Sequence, residues 1–284
     1  QVLYPGKKLT IPGLGAFRLK QKIPFFCASQ TFTISRVAHR WFVSFTLDVD
    51  KIPPLLHQEI SVGIDLGIKC FATLSDGSLI VTPSALKEAK TKLSKEQWRN
   101  RNKQLGNRTL GGKASNNALK YYRRLATRHA RIANVRRDFL QKTTTDISRK
   151  YYRIRIEDLN VAGMIANQKL AAAISSLGFY DFRRMLVYKE SFFGTKVELV
   201  DRWFPSSKTC SCCGNVQPMP LSERVYRCSR CGVSIDRDLN AAQNLENAPK
   251  DRVRAASAEF TPVDKKEPTL LVETGSKRQI KRNT

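Results

Sequence analysis

The sequence is short of acid: 24 Asp and Glu stand against 50 Lys and Arg, a formal net charge of +26. Such a deficit points to polyanionic partners, nucleic acid or anionic lipid. No apolar run approaches the roughly 18 residues of a membrane span. No basic-then-apolar leader opens the chain, so neither membrane insertion nor secretion is expected. Histidine is scarce, and His39, His57 and His129 show no metal-ligand spacing. Cysteine is scarce outside one stretch: five of the seven fall between Cys210 and Cys231, leaving Cys27 and Cys70 as small buried hydrophobes. A secreted disulfide scaffold would spread them, whereas clustered pairs read as metal ligands in a reducing cytosol. An initiating Met is missing too. Gln1 falls within a strand-forming stretch, so loss of an N-terminal portion is expected.

What remains is enough for a core: 41% of the 284 residues are hydrophobic and 9% aromatic, a composition and length that suit about two globular domains. Residues 1–54 alternate apolar and polar positions between Gly and Pro punctuation and read as a small β unit, with Trp41, Val43, Phe45 and Leu47 on one strand face. From Ile60 two or three antiparallel strands follow, with an Asp76-Gly77 hairpin turn. Residues 84–150 contain no Pro, and their long runs of Ala, Leu, Lys, Arg and Gln read as helix interrupted near Gly106 and Gly111-Gly112. This stretch holds 19 Lys and Arg against 4 Asp and Glu, a net of +15 and more than half of the chain's total excess. Arg123, Arg124, Arg128, Arg131, Arg136 and Arg137 crowd a helix whose apolar seam is Leu125, Ile132 and Val135. A nearly single-signed run gains few alternating ion pairs and favours phosphate binding. A strand ending at Glu157, a helix from about Leu170 to Glu190, a strand at Val197–Val200, the cysteine-rich insert and a helix near Arg237–Glu246 complete a ribonuclease H order of elements, an α/β class. Beyond Pro249 the charged, Pro- and Ser-containing tail is expected to be mobile.

Three acids fall where that order brings them together. The period of two in Ser61–Asp65 puts Val62 and Ile64 on one face and Asp65 on the other beside Ser61 and Gly63, leaving room for a ligand. The same parity in Arg153–Glu157 turns both isoleucines inward and Glu157 to the polar face. On a helix from Arg237, Asp238 shares a face with Ala241, Ala242 and Leu245, small enough for close approach to a sheet. Asp236 reads as that helix's N-cap, and Asp158 is the runner-up to Glu157. Converging carboxylates need divalent cations to relieve their repulsion. Oxygen-only donors suit Mg²⁺ or Mn²⁺, and two such ions about 3.5–4 Å apart support phosphodiester hydrolysis. Separately, Cys210-x2-Cys213 and Cys228-x2-Cys231-Gly supply four thiolates for a closed, structural Zn²⁺ site, with Cys212 as a spare.

GIDLGIKCFATLSDG, RIEDLN, FPSSKTCSCCG, YRCSRCG and DRDLNAAQN, in that order around a basic helical region, resemble the TnpB family of transposon-encoded RNA-guided DNA endonucleases and the compact type V CRISPR effectors related to it. The resemblance implies a RuvC-like nuclease domain at residues 55–208 and 234–248. Asp65, Glu157 and Asp238 would be its three Mg²⁺-holding acids. Residues 209–233 would be a zinc-ribbon target nucleic-acid-binding insert, residues 1–54 part of a wedge β-barrel that holds guide RNA, and 249–284 a tail. The family's N-terminal recognition lobe has no counterpart in the sequence. Guide RNA and target DNA are the implied partners, and prokaryotic cytoplasm, with nucleoid association on DNA, the implied location. Competing readings are a catalytically silent RNA-guided repressor, a guide-independent RuvC nuclease of branched DNA, and a ribosome-associated zinc-ribbon protein.

Overall fold

The computed structural model of the chain describes residues 2–3, 6–11, 13–23, 27–28, 31–46, 59–106, 112–220 and 222–256. The N-terminal strands pair locally and antiparallel: β1 (Val2–Leu3) with β4 (Cys27–Ala28), β2 (Gly6–Ile11) with β3 (Gly15–Ile23), and β5 (Thr31–Val37) with β6 (Arg40–Thr46). Leu9 and Ile11 are buried against Leu19, Ile23, Val43 and Phe45, one small cluster joining the two longer hairpins. Val43 and Phe45 thus face inward as expected. Trp41 does not; it is 68% exposed at the hairpin tip, with the Arg36 guanidinium 5.7 Å from its ring centre. Leu47 lies outside the described residues. Among the described residues these strands make three separate two-stranded ladders and no continuous barrel wall.

The main body is a six-stranded mixed sheet in the order β14-β11-β10-β7-β8-β9, where β7 is Ser61–Leu66, β8 Ala72–Leu74, β9 Leu79–Ile80, β10 Arg153–Glu157, β11 Lys196–Val200 and β14 Val253–Ala255. β10 runs parallel to both β7 and β11, and the β7-β8-β9 meander is antiparallel. The Asp76-Gly77 turn forms as read, with Gly77 at φ 87 and the Asp76 carboxylate accepting from the Ser78 amide. Lys150 and Tyr151 anchor the same carboxylate from the far end of the basic helix.

α1 (Ser84–Arg99) and the 35-residue α2 (Asn116–Lys150) bracket a bend through Gly106, where a Cβ would collide with the Gly112 carbonyl. The helix expected from about Leu170 to Glu190 is instead broken into α4 (Gln168–Leu177) and α5 (Phe179–Phe193), and a short α3 (Val161–Ala166) precedes them. Gly178 causes the break. It sits at φ 76 against Leu140 and Arg136 of α2, a left-handed conformation that turns α5 onto the sheet. The core lies between β7, β10 and β11 and these helices: Val62, Ile64, Ile154, Ile156, Val197 and Leu199 pack on Leu140, Ile147, Ile174, Phe182 and Leu186. Phe71 adds edge-on contacts to Phe139 and Phe182. α6 (Arg237–Glu246) covers the opposite face.

The segment after Pro249 departs from the expectation of mobility. Residues Lys250–Arg252 form a 3-10 turn, and β14 extends the sheet because Glu198, Leu199 and Val200 offer β11 as an open edge. Residues 257–284 lie outside the described set. Among the described residues no helix is long and apolar enough to cross a membrane.

Candidate metal centres

The alternation in Ser61–Leu66 and Arg153–Glu157 does what strand geometry requires. Ile64 lies opposite Ile156 in the parallel ladder, so Asp65 and Glu157 leave their strands side by side at the same end of the sheet, on the face that α6 covers. α6 reaches that face because Gly63 lets it: a Cβ there would lie 1.9 Å from the Ala242 carbonyl and 2.5 Å from the Glu246 amide. The space beside Ser61 and Gly63, expected to admit a ligand, is therefore filled by helix backbone, and Ser61 donates to Glu246 at 2.5 Å. What the small residues admit is the helix that carries the third acid.

α6 starts where the sequence places it. Asp236 accepts from the amides of Asp238 and Leu239 at 2.9 and 3.1 Å, the expected N-cap. Ala241, Ala242 and Leu245 are buried on the shared face. At the other end Arg155, which alternates with the two core isoleucines, donates to the Glu246 and Ala248 carbonyls and to Glu198. A guanidinium at a helix C-terminus complements its dipole. Sequence reading passed over Arg155; its signal was an Arg on the same strand face as Glu157.

The three acids are electrostatically coupled. The Asp65 carboxyl is pushed up to about 8, first by burial and then by the charges of Asp238 and Glu157, with Arg237 opposing. Glu157 is also raised, by burial and then by Asp158, against the charge of Arg202. Asp238 keeps a long 3.4 Å contact with Arg237. Asp158, the runner-up, is excluded as a cation ligand: it accepts from Arg183, Arg202 and Arg254 at 2.7, 3.2 and 2.8 Å, and although burial opposes ionisation, those arginines hold its pKa low. An oxygen-only set with a proton-holding member beside two other carboxylates fits a hard divalent cation, which would displace the proton.

The cysteines form a tighter group. Cys210, Cys213, Cys228 and Cys231 bring their Sγ atoms within 4.8 Å of one another, the one such group of His, Cys, Asp or Glu among the described residues, and could hold a metal ion such as zinc. Cys210 lies 3.6 Å from Cys231 and Cys213 3.6 Å from Cys228, while Cys212 is exposed and outside the group. Gly214 and Gly232, at φ 72 and 74, close the two knuckles. The second knuckle hangs between β12 (Val225–Arg227) and β13 (Ser234–Asp236), over the buried Tyr226. The amide of Cys231 and, less strongly, that of Arg230 approach the Cys228 sulfur and pull its pKa down to about 6 against the opposing effect of burial.

Two residues outside the sequence reading tie this ribbon to α6. Asn240 donates to the Thr209 carbonyl at 2.7 Å and accepts from the Ser211 amide at 2.9 Å. Asn244 donates to the Ser206 and Thr209 carbonyls at 2.7 and 2.6 Å. Both are buried on a helix, and buried amides at i and i+4 signal a fixed polar partner. Of the six arginines that the sequence crowds onto α2 between 123 and 137, two serve packing: Arg128 pairs with Glu96 of α1, and Arg136 donates to the Ser175 carbonyl at 3.1 Å. Arg123, Arg124, Arg131 and Arg137 are exposed.

Residues 44–168 match the family described as a probable transposase of the IS605 OrfB type, and residues 179–245 match the Cas12f1-like TNB domain. A candidate RNA-guided DNA endonuclease of Streptomyces pristinaespiralis is 40% identical over 232 residues, 80% of this chain and 55% of that protein. The candidate RNA-guided DNA endonuclease InsQ of Escherichia coli K12 is 29% identical over 84% of this chain and 61% of its own length. The CRISPR-associated endodeoxyribonuclease Cas12f1 of Sulfoacidibacillus thermotolerans is 23% identical over 77% and 53%. The chain thus spans about half the length of the curated relatives it matches. The protein in a solved Cas12f1–sgRNA–target DNA complex overlays with a TM-score of 0.47 at 14% identity, over 87% of this chain and 67% of that one, too distant a likeness to bear on the fold.

Proposed function

Since the chain belongs to the TnpB family of transposon-associated proteins, we propose that it carries the RuvC-like nuclease of an RNA-guided DNA endonuclease, with Asp65, Glu157 and Asp238 as its acids. The observation that carries this reading is the Asp65 carboxyl, recessed at the end of β7 and pushed up to about 8 with the charges of two other acids acting on it. Asp65 and Glu157 come from adjacent parallel strands and Asp238 from the first turn of α6. Asp65, Glu157 and Asp238 would hold Mg²⁺ or Mn²⁺, which would supply an activated water and stabilise the leaving oxygen in phosphodiester hydrolysis. The chain's own part is to fix three carboxylates on main-chain supports that rotamer motion cannot loosen.

Guide RNA and target DNA are the partners of this reading, with the exposed Arg123, Arg124, Arg131 and Arg137 of α2 holding phosphates. Cys210, Cys213, Cys228 and Cys231 would hold Zn²⁺ in the ribbon, and four thiolates would leave it no open coordination position and so no direct chemistry. The working location is the prokaryotic cytoplasm, on nucleoid DNA when engaged. The test uses the full protein with its co-purifying RNA and a matching plasmid. Cleavage in Mg²⁺ should fall by about a thousandfold or more in Asp65→Ala with DNA binding kept. Binding without any metal-dependent cutting would reveal a repressor; cutting unchanged by RNase before assembly would reveal a guide-independent nuclease.

A further inference from the structure

Asp158 directs three guanidiniums to one carboxylate. Arg183 comes from α5, Arg202 from the turn after β11 and Arg254 from β14, all within 3.2 Å. One carboxylate thus faces three guanidiniums, and it pins Arg202 and Arg254 in place. Side chains of Arg202 and Arg254 are 40% and 62% exposed, so their remaining N–H groups face solvent. The cluster begins one residue past Glu157 and thus borders the carboxylate site. Arg202 is close enough for its charge to act on Glu157.

The next residue, Trp203, is 82% exposed, the most exposed large apolar side chain among the described residues. Its turn is nevertheless braced by hydrogen bonds. Asp201 accepts from the Trp203 amide at 3.0 Å and pairs with Arg252, and main-chain bonds run from Asp201 to the Arg252 carbonyl and from Phe204 to the Asp201 carbonyl. Phe204 points the other way and packs beside Val200 and Leu245. An indole held in water by a braced turn, next to fixed guanidiniums, has the two components of a single-strand binding surface: a flat face for a base and cations for its flanking phosphates. A duplex presents phosphates but hides its base faces, so it could use only half of this surface.

We propose that Trp203, Arg202 and Arg254 grip an unpaired DNA strand beside the carboxylate site, with one base stacked on the indole. The inference rests on the nuclease reading, since the strand gripped is the one to be cut, and it adds the residues that hold it. No other part of the chain offers an exposed Trp beside a carboxylate-pinned arginine set among the described residues.

The test keeps the full chain and changes Trp41→Phe and Trp98→Phe, so that Trp203 is the sole tryptophan of the original three. Its fluorescence is followed without Mg²⁺ against oligothymidylate, oligouridylate and a hairpin duplex of equal charge. Oligothymidylate should quench it most strongly. In the otherwise unaltered chain, Trp203→Ala should weaken oligothymidylate binding by roughly five- to a hundredfold and Trp203→Phe by far less. Arg254→Gln, at a mostly exposed side chain, should lower the salt dependence of binding. Equal quenching by duplex, stronger quenching by oligouridylate, or unchanged affinity in Trp203→Ala would overturn the proposal. The two readings separate cleanly: a chain that shows the quench but never cuts loses the nuclease assignment, whereas one that cuts while Trp203→Ala binds and cuts normally loses the grip alone.

Discussion

The two candidate metal centres are built in opposite ways. The thiol cluster comes from two short knuckles on one ribbon, closed so that all four Sγ atoms lie within 4.8 Å of one another. The carboxylate cluster draws on β7, β10 and α6, and its members communicate mainly by charge. The first is a local device whose geometry follows from spacing, and the second exists only if the whole sheet and its covering helix assemble. Asn240 and Asn244 are where the ribbon and the helix of the carboxylate cluster meet.

The comparison breaks most visibly by removing a thiol. Cys228→Ser should lose bound zinc and melt the ribbon, with a stability loss that can reach several kcal/mol; zinc content and hydrogen exchange at Tyr226 check it, and normal zinc stoichiometry would remove the assignment. Next comes Gly63→Ala. Its methyl group meets main-chain atoms of α6 that no rotamer can move, so roughly 3 kcal/mol of destabilisation is expected in urea titrations. If the site depends on this seam, metal-dependent cutting falls with it while the ribbon retains zinc. Asn244→Ala removes the donor to two carbonyls and should cost about 2 kcal/mol. Exchange protection should drop at residues 206–209 before it drops in β7, an order that fails if the ribbon and helix are independent.

The smallest effect tests the remaining buried charge, away from both centres. Lys189 donates to the Gln141 carbonyl and to the Thr144 and Thr145 hydroxyls, and burial brings its pKa down to about 8 although Asp146 pulls it upward. The folded chain therefore releases this proton before the unfolded chain, whose lysine titrates near 10.5. Stability from this group should rise with pH between about 8 and 10.5. Lys189→Met should flatten that rise, as measured by urea unfolding at pH 7.5 and 9.5.

Much of this was legible in residue order. Period-two alternation placed Asp65 and Glu157 on the polar face, helical spacing placed Asp238 above two alanines, and the two-residue gap chose Cys213 over Cys212. Legibility failed where tertiary packing decides. The bend at Gly178 depends on α2 behind it, and β14 forms because β11 leaves an edge open. The vacancy read beside Gly63 was a docking slot for α6, since local parity says which face is small but not what fills it. Asn240, Asn244 and Arg155 bind main-chain carbonyls, partners that carry no residue identity for a sequence to display.

Main chain touching main chain across Gly63 has one more consequence. Side chains usually act as shock absorbers between packed elements, and at Gly63 none intervenes between β7 and α6. Any sliding of the helix reaches Asp238 undamped, so its separation from Asp65 is gauged by backbone thickness. The protein holds that spacing the way a machinist does, by closing two hard faces without a gasket.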